Sequence, residues 1–176
     1  FREWNQFGVV RRLSDRDVWD RAWTELMRQP VLEAPTAIPT SDTLKTVCAG
    51  DNGQDFEVPD TCPDRQIGGS ARGEKLLTSF LDRRCVGYQY NISSPNTAVR
   101  ACSRLSPHIA YGTVSLHEIY QQAKATGNHR NTLTRKKKSL TSFRSRLHWH
   151  CHFIQKLEDE PELEFRAIHR EMEALK

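Results

Sequence analysis

The feature that most constrains the fold is a long amphipathic repeat near the end of the chain. Apolar residues recur there at spacings of three and four, which places them on one face of an α-helix with 3.6 residues per turn. They are Leu140, Phe143, Leu147, Cys151, Ile154 and Leu157. Because a helix with such a face must bury it against other elements, the sequence predicts a core built around this helix.

Further helices are predicted where a capping residue precedes an apolar face. A Ser or Asp side chain stabilises a helix start by accepting a backbone hydrogen bond, and Pro fits the first turn. The predicted starts are Ser14 with Asp17, Ser70, Ser106-Pro107, Ser115 with Glu118, and Pro161. The faces that follow include Val18, Trp19, Ala22, Trp23 and Leu26, then Leu76, Leu77, Phe80 and Leu81, and lastly Phe165, Ile168, Met172 and Leu175. No segment alternates as a strand does, so the predicted fold class is all-α.

Two irregular connectors interrupt the predicted helices, at about residues 29–69 and at residues 91–96. A loop as long as the first is unusual in a compact domain, and is often functional or wraps a neighbouring domain. We therefore expect three segments, namely residues 1–30, 31–67 and 68–176. Because the chain starts at Phe1 and not at Met, we also expect it to be a piece of a longer protein.

The formal charge of +4 is mildly basic and compatible with a polyanionic partner. Much of the excess lies at residues 129–138, which fit either a solvated loop or an edge that contacts phosphates.

Five cysteines without a Cys-x-x-Cys pair favour reduced thiols in an intracellular protein, although a Cys48–Cys62 disulfide stays an alternative. No apolar run reaches the roughly 20 residues of a membrane span.

Phosphate chemistry is indicated by the segment Cys102-Ser103-Arg104-Leu105-Ser106-Pro107. Two hydroxyls, an arginine and a helix start lie together there, and free backbone N–H groups at a helix start attract anions. Judged by spacing alone, the same residues are more typical of an ordinary helix cap.

The order of motifs around this segment resembles the photolyase/cryptochrome family. Gly68-Gly69 opens a helix, Tyr90 precedes Cys102 by twelve residues, and Leu147-His148-Trp149 follows later. The resemblance covers about residues 68–160 and implies the first half of an FAD-binding helical domain with long irregular connectors. Residues 1–30 are more weakly similar to the segment where the family's antenna domain ends.

The resemblance implies a role for each matching position. The implied cofactor-binding residues are Tyr90, Cys102, Ser103, Arg104, Leu105, Ser106 and Phe143. The implied catalytic residues are Arg146, Trp149 and His150, and the implied DNA-binding residues are these three with Phe153. Cys102 departs from the family's Thr and lacks its hydroxyl.

Three positions on the long helix also depart from the family pattern. Phe143 stands where photolyases commonly have Trp, Arg146 where a lesion-contacting Glu is expected, and His150 where an Arg is expected. An arginine in place of a carboxylate inverts the charge and removes an acceptor and proton source.

On the same helix His148 and His152 lie one turn apart, but two ligands do not make a closed zinc site, so no metal is predicted.

The implied activity is blue-light-driven repair of pyrimidine dimers in DNA by electron transfer from reduced FAD. The implied partners are FAD, damaged DNA and the rest of the parent chain, including an antenna domain that carries its own chromophore. On this basis the present chain contributes the phosphate side of the flavin pocket and by itself retains FAD weakly. The alternatives are a cryptochrome-like photoreceptor and a helical nucleic-acid-binding or interaction protein without catalysis.

Overall fold

A computed structural model of the chain describes residues 9–37 and 62–174. Within these ranges the chain forms helices and loops and contains no strand, which confirms the all-α prediction. The α-helices are α1 Arg16–Arg28, α2 Ser70–Asp82, α3 Tyr88–Asn91, α4 Pro95–Ala101, α5 Ser106–Ala110, α6 Leu116–Asn128 and α7 Thr134–Asp159. Short 3₁₀ turns cover Arg84–Gly87, Pro161–Glu164 and Arg170–Ala174.

The chain divides into two compact units. One unit groups Phe1–Pro30 with Gly68–Lys176 and holds every helix named above, and the other is Val31–Ile67. In the described part of the second unit the backbone forms only loops and turns. Cys48 lies outside the described residues, so the disulfide alternative and the three-segment division stay predictions.

Helix α7 is the centre of the core, as its repeat predicts. Leu140, Phe143, Leu147 and Cys151 are all buried on one face. The last apolar residue of the repeat lies outside the core, since Leu157 is 49% exposed. Around this face pack residues from three other helices, namely Trp19, Trp23 and Met27 of α1, Leu77 and Phe80 of α2, and Leu116, Ile119 and Ala123 of α6.

A glycine lets α2 approach the loop after α5 closely. A Cβ atom on Gly73 would clash with the Val114 side chain and would lie 2.9 Å from Nδ1 of His108. His108 is 2% exposed, and its Nδ1 is paired with Oγ1 of Thr113 at 2.8 Å. Gly73 is therefore required by packing and not by backbone conformation.

Several predicted helix boundaries are wrong in detail. The cap of α1 is Asp15 and not Ser14, since the Asp15 carboxylate accepts from the Asp17 N–H at 3.1 Å. Gly69 caps α2 in place of Ser70. Ser115 is the N-cap of α6, but its side chain makes no capping hydrogen bond. The predicted connector at residues 91–96 instead holds the end of α3 and the start of α4.

The predicted helix after Pro161 is also wrong, because two short 3₁₀ turns stand in its place. Phe165 is 84% exposed, and Ile168 and Met172 are more than half exposed. Leu175 lies outside the described residues. A helix of this length gains most of its stability from burying its apolar face, and among the described residues that face has no covering partner.

Candidate functional site

The predicted phosphate segment forms a tight turn between α4 and α5, residues 102–106. Arg104 has a φ of 62° and Leu105 a φ of −91° with ψ −7°. Opposite signs of φ at successive residues turn consecutive backbone N–H groups toward one side, and such a concavity binds anions. Leu105 is 1% exposed and fixes the turn to the core.

The side chains of the 102–106 turn contribute unequally. The Ser103 hydroxyl accepts a hydrogen bond from the Leu105 N–H at 3.4 Å, so this Oγ is held against the turn. Ser106 is exposed at the start of α5. Burial raises the pKa of the Cys102 thiol, an effect that the nearby Arg84 and Arg104 partly offset. The Cys102 thiol is therefore neutral at physiological pH and only a weak donor.

An arginine that the sequence reasoning missed holds this turn in place. The Arg84 guanidinium donates to the carbonyl oxygens of Cys102 and Ser103, the latter at 3.3 Å. It also donates to the Leu76 carbonyl at 2.7 Å and to Oγ of Ser79 at 3.1 Å, both on α2. Burial and the positive charge of Arg104 lower the pKa of Arg84.

The tyrosine predicted to contact the cofactor lies on the surface. Tyr90 is 65% exposed, and the Cζ atom of Arg135 lies 5.1 Å from its ring centroid. Its neighbour Tyr88 is buried, and burial raises the pKa of Tyr88 to about 12. Cys102 and Arg146 also shift the pKa of Tyr88, in opposite directions. Tyr88 thus lies between the 102–106 turn and α7.

Phe143, predicted to bind the cofactor, is a core residue. It is 3% exposed, and its ring centroid lies 4.6 Å from that of Phe80 and 5.5 Å from that of Tyr88. Its cofactor role stays a prediction. Its ring contacts with Phe80 and Tyr88 are core packing contacts.

The predicted catalytic and DNA-binding residues share the exposed side of α7. The Arg146 Cζ atom lies 5.3 Å from the Trp149 ring centroid, and the Trp149 and Phe153 centroids are 6.0 Å apart. Trp149 and Phe153 are each about half exposed. Partial burial lowers the pKa of His150, so this imidazole is neutral at pH 7. We call these four residues, Arg146, Trp149, His150 and Phe153, the α7 aromatic face.

The predicted residues do not converge on one small pocket. Arg135, which stacks on Tyr90, and Trp149 are fourteen residues apart on α7, which corresponds to roughly 21 Å along the helix. Three cavities lie at residues 159–173, at residues 13–19 with 152–160, and at residues 20–28. None of these three is lined by a predicted cofactor residue.

The two histidines that face α1 belong to its packing. Nε2 of His148 is 2.7 Å from Oδ1 of Asp20, and the His148 ring contacts Trp19 and Trp23 at centroid distances of 4.9 and 4.6 Å. The Trp19 ring also contacts His152. Among residues 9–37 and 62–174, no group of three or more His, Cys, Asp or Glu side chains could hold a metal ion.

The basic stretch is helical over residues 134–138, so the loop interpretation is wrong there. Arg135, Lys137 and Lys138 are exposed, whereas Lys136 donates from Nζ to the Asp82 carbonyl at 3.2 Å. No acidic residue lies in the first turn of α7. Cations at the positive end of a helix dipole are unfavourable, and a bound polyanion would relieve this repulsion.

No helix in the described part of the chain is long and apolar enough to cross a membrane.

Comparison with known proteins gives one partial similarity. A stretch of 70 residues is 37% identical to a deoxyribodipyrimidine photo-lyase of Streptomyces griseus. The match covers 40% of this chain and 15% of that protein, so the chain spans a small part of the relative's length. No protein-family model matches the chain, and no solved structure matches it. The similarity indicates a relationship to photolyases over part of the chain.

Proposed function

We propose that this chain supplies the phosphate-binding side of an FAD site in a photolyase-type DNA repair protein. The observation that carries the proposal is the 102–106 turn. Its paired φ values at Arg104 and Leu105 direct backbone N–H groups to one side, and Arg104 within the turn carries a guanidinium. Backbone amides and a guanidinium are the groups that bind a pyrophosphate, so the residues present fit the dinucleotide's phosphates. The partial similarity to a photo-lyase supports the same assignment.

The proposed lesion-binding surface is the α7 aromatic face. An exposed Trp ring stacks on an unpaired base, and a damaged base costs less free energy to unstack than an intact one. The Arg146 guanidinium, held over Trp149, supplies hydrogen-bond donors and positive charge beside that ring. The exposed cations Arg135, Lys137 and Lys138 provide sequence-independent affinity for the DNA backbone.

Bound FAD would supply the light absorption and the electron transfer on which dimer splitting depends. The protein's own residues bind and orient. The 102–106 turn holds the phosphates, Trp149 holds the extruded pyrimidine pair, and Arg146 donates hydrogen bonds to its carbonyl oxygens. Because His150 is neutral at pH 7, it contributes no charge to the α7 aromatic face and can donate or accept one hydrogen bond.

The test uses the full-length protein and two measurements. The first is the visible absorption spectrum of the purified protein, which must contain flavin bands. The second is blue-light-dependent repair of an oligonucleotide that carries one pyrimidine dimer, with a dark control. We expect Trp149→Ala to lower dimer affinity by roughly tenfold, because base–aromatic stacking contributes about 1–3 kcal/mol per base. Phe165→Ala is the matched control, since Phe165 is also an exposed aromatic but lies off α7.

Two other functions make different predictions in the same assays. A photoreceptor is favoured by Arg146, which stands where the resemblance implies a lesion-contacting Glu, and such a protein would bind flavin without repairing DNA. A nucleic-acid-binding module is favoured by the exposed cations at the start of α7, and its salt-dependent DNA binding would survive complete removal of flavin. Absence of flavin bands together with absence of repair would refute our proposal.

A further inference from the structure

Arg84 is the residue whose contacts best account for the shape of the 102–106 turn. Four of its five N–H groups have acceptors, two on α2 and two on the turn. The side chain itself starts in the 3₁₀ turn Arg84–Gly87. One guanidinium therefore joins three separate segments of backbone.

The direction of these hydrogen bonds fixes the direction of the turn's amides. In a trans peptide the carbonyl oxygen and the following N–H point to opposite sides. Because the Cys102 and Ser103 carbonyls point toward Arg84, the N–H groups of Ser103 and Arg104 point away from it. Arg84 thus turns the acceptors of the segment inward and leaves its donors on the outer side.

The same geometry holds the Arg84 guanidinium close to Arg104. Burial lowers the pKa of Arg84, and like-charge repulsion from Arg104 lowers it further, whereas the Cys102 and Cys85 thiols raise it.

We propose that Arg84 is a positioning residue for a dinucleotide pyrophosphate at the 102–106 turn. The inference rests on the proposed function, because it takes the phosphates of FAD as the ligand of that turn. Arg84 does not touch the ligand in this assignment. It holds the backbone donors in the orientation that the phosphates require.

The test measures apoprotein affinity for FAD and for riboflavin, which carries the same ring system but no phosphate. The variants are Arg84→Met and Arg84→Lys in the full-length protein, with Arg83→Met as the control. Arg83 is an exposed neighbour whose side chain has no hydrogen bond within the described ranges. We expect Arg84→Met to weaken FAD binding about tenfold, equivalent to about 1.4 kcal/mol, and to leave riboflavin binding unchanged. Arg84→Lys should recover part of the loss, because it keeps the charge but not the planar fork.

The outcomes separate this inference from the proposed function. Unchanged FAD affinity in Arg84→Met, or an equal loss for FAD and riboflavin, would overturn the positioning role while leaving FAD binding intact. Wild-type protein that binds FAD no more tightly than riboflavin would overturn the proposed function itself. If Arg84→Met does not fold, Ser79→Ala removes only the acceptor of Arg84 Nε. That variant should weaken FAD binding about threefold, again without affecting riboflavin.

Discussion

The side chain of Gln155 attaches the N-terminal segment to α7, and replacing it should release that segment. Gln155 is 2% exposed, and its carboxamide pairs with both backbone groups of Val10. Oε1 accepts from the Val10 N–H at 2.8 Å, and Nε2 donates to the Val10 carbonyl at 2.9 Å. A second bond from Nε2 reaches Oδ1 of Asp159 at 2.9 Å. The amide thus imitates the pairing of a neighbouring strand.

Gln155→Leu keeps the approximate volume of the side chain and removes these bonds. Each of the two bonds to Val10 contributes about 0.5–1.5 kcal/mol net, so the variant should lose about 1–3 kcal/mol of unfolding free energy. The loss should be local, because these bonds are made to the loop that precedes α1, whereas the core face of α7 is untouched. Hydrogen exchange at the Val10 amide should accelerate by roughly 5- to 150-fold, in line with that loss.

The matched control is Gln122→Leu. Gln122 is exposed and donates only to Oε1 of Glu118 at 3.2 Å, so its replacement should change the unfolding free energy by less than about 0.5 kcal/mol. Chemical denaturation measures both variants, and amide exchange locates the effect. Unaltered protection of the Val10 amide in Gln155→Leu would refute the reasoning, whatever the change in global stability.

Three further predictions concern packing, thiols and pH. Gly73→Ala should lower the unfolding free energy by about 1–3 kcal/mol in a denaturant titration, because its Cβ has no space. A thiol reagent at pH 8 should leave the buried Cys151 unmodified in the native protein and modify it after unfolding, because burial raises the pKa of Cys151 to about 11. Burial lowers the pKa of His150 and of His152, so the unfolded chain binds more protons than the folded one below about pH 6.5. Stability should therefore fall as pH drops through that region, and less steeply in a His150→Asn variant.

The sequence predicts those parts of the fold that depend on local periodicity. The buried face of α7 follows from residues three and four apart, and the structure buries Leu140, Phe143, Leu147 and Cys151 as expected. The same kind of pattern fails after Pro161. Phe165 and Ile168 have helical spacing in the sequence, but the structure has 3₁₀ turns there and leaves both side chains exposed. Periodicity states which residues could share a face, but burial depends on whether another element covers it.

The candidate site is less predictable because its decisive contacts are long-range. The turn at residues 102–106 is recognisable from its hydroxyls and its arginine, whereas Arg84 stands in a charged run, Asp82-Arg83-Arg84, that is typical of an exposed helix end. Nothing in that run distinguishes Arg84 from Arg83. Only the fold shows that one of them reaches carbonyls 18 and 19 residues away. Phe143 shows the same dependence on the fold, since its packing against Phe80 at a centroid distance of 4.6 Å is visible only in the structure.

Helix α7 carries both the end of the basic stretch, residues 134–138, and the α7 aromatic face on one continuous helix. One inserted residue between Arg135 and Trp149 would rotate the indole by roughly 100° and advance it by roughly 1.5 Å. The indole would then no longer lie on the same side of the helix as Arg146. The length of the helix therefore fixes both the distance and the relative direction of Arg135 and Trp149. Among related chains we expect substitutions in this segment but no change in its length, while residues 129–133 ahead of it are free to lengthen.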